Sequence, residues 1–180
     1  MAIPHLKNFN LQEWINSNRQ EWAHGPGRLK LIWEDSDYLA FVSSEPTTEL
    51  QFHVNPGDEI FYQLEGKLDL HHIASDGDRE VSVMHPGDIL LLPANRPHSP
   101  RREDPDWSWT LVVTRKRSPG EMDRWVWFCE NCNNKLYETI FASTGPGAVA
   151  AKARDGAKED LRANEKLRTC SKCGELLPTP

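Results

Sequence analysis

The chain has 180 residues, four Cys, seven Trp and a formal net charge of −6. That length suits one domain of ordinary size with a small appendage, and it can bury a core without disulfides. Interspersed charges with an acidic balance exclude a basic face for nucleic acid, and the apolar runs fall far short of the ~18 residues of a membrane helix. No basic leader with an apolar stretch opens the chain, so a soluble, cytoplasmic protein is expected.

Residues 1–28 read as a helical segment. Leu11, Trp14, Ile15 and Trp22 recur near a 3.6-residue spacing, with Asn10 placed to cap them. Residues 29–120 change to short apolar runs broken by Gly, Pro, Asn and Asp. LKLIW, YLAFV, LQFHV, EIFYQL, KLDLHHI, REVSVM, DILLLP and WTLVVTR each read as a strand. Turn signals separate them at Asn55-Pro56-Gly57-Asp58, Asp76-Gly77-Asp78 and His85-Pro86-Gly87-Asp88. Strands at this spacing imply a sandwich or a barrel. Residues 121–180 read as a small module. RWVWFCENC opens it, an Ala- and charge-rich stretch forms a loop and an exposed helix, and TCSKCGELLPTP closes it. Trp125 and Trp127 are placed to pack this module on the barrel.

Two stretches carry the chemistry. In FHVNPGDEIFYQLEG, His53 ends one strand and Glu59 begins the next, so a hairpin is expected to set them side by side. Glu59, Phe61 and Gln63 then share one face of their strand. In HPGDILLLPANRPHSPRR, His98 follows a Pro-bounded apolar run. Two imidazoles and one carboxylate bind a metal on one side and leave the other open, the ligand set of non-haem Fe(II) oxygenases. Taken singly, each residue is more often a solvated group beside a turn than a ligand; joint placement makes the case. His5, His24 and His85 lie in loop contexts, and the adjacent His71 and His72 point to opposite faces of one strand.

The cysteines occur only as Cys129-x-x-Cys132 and Cys170-x-x-Cys173. Four thiolates in this pattern suit one tetrahedral ion, zinc or a single iron. A pair of redox dithiols is the alternative, and it lacks the βαβ setting such motifs favour.

The pattern His53-x5-Glu59-x6-Gly66 with Gly87-x5-Pro93-x4-His98 resembles the two half-motifs of the cupin superfamily. More closely, FHVNPGDEIFYQLEGKLDL, GDILLLPANRPHSPRR and WFCENC…CSKC resemble the bacterial 3-hydroxyanthranilate 3,4-dioxygenases over nearly the whole chain. The resemblance implies a mainly β fold. It is a cupin double-stranded β-helix (jelly-roll barrel) with a short N-terminal helix and a small four-cysteine tail. It implies Fe(II) held by His53, Glu59 and His98, with a second iron or zinc on Cys129, Cys132, Cys170 and Cys173. The implied reaction inserts O2 into an ortho-aminophenol or related hydroxylated aromatic acid and opens its ring. A homodimer is also implied. Asn55 stands where many cupins carry a second histidine, which suits a branch with three protein ligands.

The family's substrate residues carry over unevenly. Its arginine four residues after the last histidine is Arg102, expected to bind the substrate carboxylate. Its other arginine is replaced by Glu49, an acid by Gln51, and a glutamate by Thr114. A carboxylate on a pocket wall that binds an anion is repulsive, so an altered substrate is expected. Two readings stay open: a cupin metalloenzyme of another type, an isomerase or hydrolase, and a ligand-binding cupin without catalysis.

Overall fold

The computed structural model describes residues 6–24, 29–33, 36–44, 49–102, 108–143 and 147–180, with side chains from residue 20 to 24 excepted. His5 and Trp107 lie outside the described residues. The elements run α1 (Leu11–His24), β1 (Leu29–Leu31), β2 (Tyr38–Ser43), β3 (Phe52–Val54), β4 (Glu59–Glu65), β5 (Leu68–Ile73), β6 (Arg79–Met84), β7 (Ile89–Leu92), β8 (His98–Arg101), β9 (Trp109–Arg115), β10 (Met122–Phe128), β11 (Lys135–Ala142) and α2 (Ala148–Ala163). Two antiparallel sheets face each other, in the orders β1-β2-β9-β4-β7 and β11-β10-β3-β8-β5-β6. This is the expected mainly β, jelly-roll arrangement of a cupin.

Strand alternation decides what lines the barrel. In β4, Glu59, Phe61 and Gln63 are buried while Ile60 and Tyr62 are exposed. β9 pairs with β4 so that Thr114, Val112 and Thr110 lie opposite Glu59, Phe61 and Gln63. Apolar residues fill one part of the interior, with Phe41, Phe61, Leu68, Leu70, Met84, Leu92 and Val112 in one cluster. The polar members of the same rows are left to build a site.

A second cluster lies on the outer side of the five-stranded sheet, where Ile15 of α1 packs with Ile32, Ala40, Val42 and Trp109. Asn10 caps α1 as expected, its Oδ1 accepting from the Glu13 N–H at 3.0 Å. Covering β2 on both faces explains its continuous apolar run, since Phe41 points inward and Val42 toward α1.

Strands β8, β10 and β11 are additions to the sequence reading. β10 pairs with β3, so the six-stranded sheet continues beyond residue 120 into the stretch read as a separate module. The helix α2 is also less exposed than its charge suggests. Ala150, Ala157 and Leu161 are buried, and Ala157 and Leu161 join Trp127 and Leu177 in a third cluster. Trp125 Nε1 donates to the Ala150 carbonyl at 2.9 Å, so the two tryptophans do fasten this part to the barrel.

Candidate active site

His53 sits mid-strand in β3, and its partner across the ladder to β8 is His98. Glu59 opens β4, which belongs to the opposite sheet. The Asn55-Pro56-Gly57-Asp58 turn therefore carries the chain from one sheet to the other, and the expected hairpin is corrected. His53 and Glu59 meet by facing each other across the barrel interior. Asn55 organises the crossing: its Oδ1 accepts from the Gly57 N–H at 2.8 Å and its Nδ2 donates to Thr114 Oγ1 at 3.0 Å. A Cβ on Gly57 would meet Arg115 Cγ at 3.1 Å, so that side chain would have to give by a few tenths of an ångström.

One donor atom from each of His53, Glu59 and His98 lies within 4.8 Å of the others. Glu59 and His98 are 4% and 3% exposed. His98 Nε2 is 3.1 Å from Glu59 Oε2, yet that oxygen makes no hydrogen bond. Two donor atoms this close with no hydrogen bond between them suit a cation held by both. Donors bound side by side on one metal lie roughly 3 Å apart, so the spacing fits an ion. His98 Nδ1 faces the Arg96 carbonyl at 3.1 Å, which places the proton there and leaves Nε2 bare. Burial lowers the His98 pKa, against the opposing pull of the Glu59 charge, and so favours the neutral imidazole that a metal requires. The donor set fits the two-histidine, one-carboxylate ligation of non-haem ferrous ion.

The chain also has relatives of known name. The description "3-hydroxyanthranilic acid dioxygenase" belongs to the family whose sequence profile matches residues 4–149. The chain belongs to the 3-hydroxyanthranilic acid dioxygenase family. A 3-hydroxyanthranilate 3,4-dioxygenase of Bacillus thuringiensis is 36% identical over 96% of this chain and 93% of its own length. Proteins of the same name from Xanthomonas euvesicatoria and Paraburkholderia phytofirmans are 34% and 32% identical, covering 100% and 96% of this chain and 96% and 95% of theirs. A solved structure from Neisseria meningitidis aligns with a TM-score of 0.47 at 13% identity, covering 61% of this chain and 99% of its own.

The four positions expected to contact substrate have different surroundings. Arg102 follows His98 by four residues and is 3% exposed. Its Nη2 donates to Thr110 Oγ1 at 2.9 Å, its Nε has no partner, and no carboxylate pairs with it among the described residues. Burial alone brings its pKa down to about 10. Thr110 in turn donates to Gln63 Oε1 at 2.6 Å, and Gln63 Nε2 donates to Ser108 Oγ at 2.8 Å. This buried polar row escaped the sequence reading; the alternation of β4 put Gln63 inward without showing what it meets.

Glu49 is paired with cations of α2. Lys158 Nζ lies 2.9 Å from its Oε1 and Arg154 Nη1 3.5 Å from its Oε2, both from α2. Although burial alone pushes the Glu49 pKa up, these cations and the Gln51 amide hold it below its usual value. Arg96 donates to the Ile73 carbonyl, and Arg101 lies over the Phe52 ring and 3.6 Å from Glu130. Gln51 donates through Nε2 to Glu49, leaving its buried Oε1 without a partner. The Thr114 hydroxyl is used within the turn, accepting from Asn55 and donating to the Asp58 carbonyl at 2.8 Å.

On the other side of His53 stands Asp123, which the sequence reading also missed. Its Oδ2 is 3.0 Å from His53 Nε2. Arg117 grips the same carboxylate through Nε at 2.8 Å and Nη2 at 2.7 Å. Trp125 covers the His53 ring with centroids 4.7 Å apart, and Phe61 meets His98 edge-on at 5.7 Å.

The cysteines form a second cluster with donor atoms within 4.8 Å. Sγ–Sγ distances of 3.6 Å for Cys129–Cys173 and 3.5 Å for Cys132–Cys170 approach the roughly 3.8 Å edge of a tetrahedron around zinc. The two halves match. The Cys129 and Cys170 carbonyls accept from Asn133 and Gly174, both at positive φ, and their N–H groups donate to the Asn134 and Glu175 carbonyls. His71, His72 and His85 take no part in either cluster among the described residues.

Proposed function

We propose that the protein is an Fe(II)-dependent extradiol dioxygenase that inserts O2 into an ortho-aminophenol or a related hydroxylated aromatic acid. The observation that carries this is the His53–Glu59–His98 cluster in a chain of this family, with a buried Glu59 oxygen beside His98 Nε2 and bonded to nothing. His53, Glu59 and His98 would hold a ferrous ion, which would supply the chemistry that brings the aromatic ring and O2 together and so would lower the entropic barrier to their meeting. The chain's own part is to hold the ion from one side, to orient the ring and to exclude water.

Arg102 supplies the orientation. A buried guanidinium without a counter-charge is costly, and a substrate carboxylate relieves that cost by binding Nε. Gln51 offers its vacant Oε1 to a ring N–H or O–H, with Glu49 setting the direction of the amide. Thr114 contributes wall and no free hydroxyl proton. An amide on one wall, in place of a charged group, supports a substrate shaped differently from 3-hydroxyanthranilate while still carrying one anionic group. The cysteine cluster holds a second iron or a zinc in a structural role. Thiols kept for a metal suit the reducing cytoplasm. A homodimer is supported by the uncovered outer face of β4 and β7, where Ile60, Tyr62, Ile89 and Leu91 are exposed.

Oxygen uptake by anaerobically iron-loaded protein tests the activity. Carboxylated ortho-aminophenols and hydroxysalicylates are expected to drive uptake with kcat/KM at least ~10-fold above 2-aminophenol, which lacks the carboxylate. No uptake with any of these compounds or with catechols overturns the reading.

A further inference from the structure

Asp123 is 1% exposed at the start of β10, diagonal to His53 across the β3–β10 ladder, where Trp125 is the direct partner of His53. Arg117, 3% exposed, holds its carboxylate with two bonds, so the group can neither rotate nor reach solvent. The remaining lone pair of Oδ2 meets His53 Nε2 at 3.0 Å. An ionised carboxylate only accepts, so the imidazole must donate and Nε2 must carry the proton. The other ring nitrogen is then left with a lone pair. The ring itself is pinned against Trp125 at 4.7 Å.

We propose that Asp123, locked by Arg117, is the positioning residue of His53. It fixes the tautomer and the ring plane so that the unprotonated nitrogen faces Glu59 and His98, and its charge makes that nitrogen a stronger donor to a metal. This rests on the metal reading of the three-residue cluster and adds a fourth and fifth residue to its design. His98 is oriented differently, by the neutral Arg96 carbonyl at 3.1 Å. The two imidazoles are thereby unequal. His53 has an anionic partner, so its affinity for the ion depends on one buried ion pair at the start of β10.

The test is an anaerobic chelator-competition titration of Fe(II) on the full chain and on Asp123→Asn, with the cysteine site counted separately. Affinity at the histidine site is expected to fall by ~10–100-fold, while the cysteine site keeps its metal. The ligand-field spectrum of Co(II) at the histidine site should shift in the variant, a change that a purely structural role for Asp123 does not produce. If Asp123→Asn does not fold, Asp123→Leu/Arg117→Met is read in its place, because removing both charges leaves no orphan in the core. Unchanged affinity and spectrum in the folded variant overturn the proposal and leave the metal reading standing. Absence of iron from the wild-type histidine site instead overturns the metal reading.

Discussion

Arg102 shows how much one buried charge can reveal. Its guanidinium is enclosed, bonded to a threonine hydroxyl and otherwise short of partners, a costly arrangement in a folded state. The Arg102→Met variant should fold at least as stably as wild type by thermal denaturation, while its Kd for a carboxylated substrate analogue rises ~100-fold in anaerobic titration. Equal binding by the variant would show that the carboxylate goes elsewhere. The residues legible from turn chemistry were His53 before Asn-Pro-Gly-Asp, Glu59 after it and His98 behind Pro97, while Arg102 was named through the family resemblance alone. Asp123 and the Gln63–Thr110–Ser108 row were not legible, because they meet partners 45 to 70 residues away in sequence, and Arg117 takes its meaning from Asp123, six residues on. No local pattern marks a contact made through strand register.

At the scale of elements, α2 is the part whose role its sequence concealed. An Ala- and charge-rich helix reads as solvated, yet Leu161 is fully buried against Trp127, and Leu161→Ala should cost about 2–5 kcal/mol in chemical denaturation. Its cations also reach the pocket wall through Glu49. A carboxyl held low in the folded state contributes stability above its unfolded pKa near 4.5 and loses it as pH falls through the folded value. Denaturation midpoints followed from about pH 5 down to about pH 3 should therefore fall more steeply in wild type than in Glu49→Gln. The strand pattern of β2 to β7 and β9 was readable from alternation and turn residues. β8 was hidden by its Pro and Arg content, and β10 and β11 by the cysteines beside them, which drew the reading toward a separate module.

For the whole molecule, two sheets bring the three candidate metal donors together, and neither sheet contains all of them: His53 and His98 lie on one, Glu59 on the other. The site forms only when the barrel closes. The outer face of β4 and β7 should hold the dimer together, and Ile89→Lys/Leu91→Lys should shift sedimentation from dimer to monomer without loss of iron. Retention of the dimer would place the interface elsewhere. The central claim is that His53, Glu59 and His98 hold a catalytic ion separate from that of the cysteines. Elemental analysis of iron and zinc per chain tests it most directly. The account predicts about two ions in wild type and about one in both Glu59→Ala and Cys170→Ser. A Glu59→Ala protein that keeps its full metal content would contradict it.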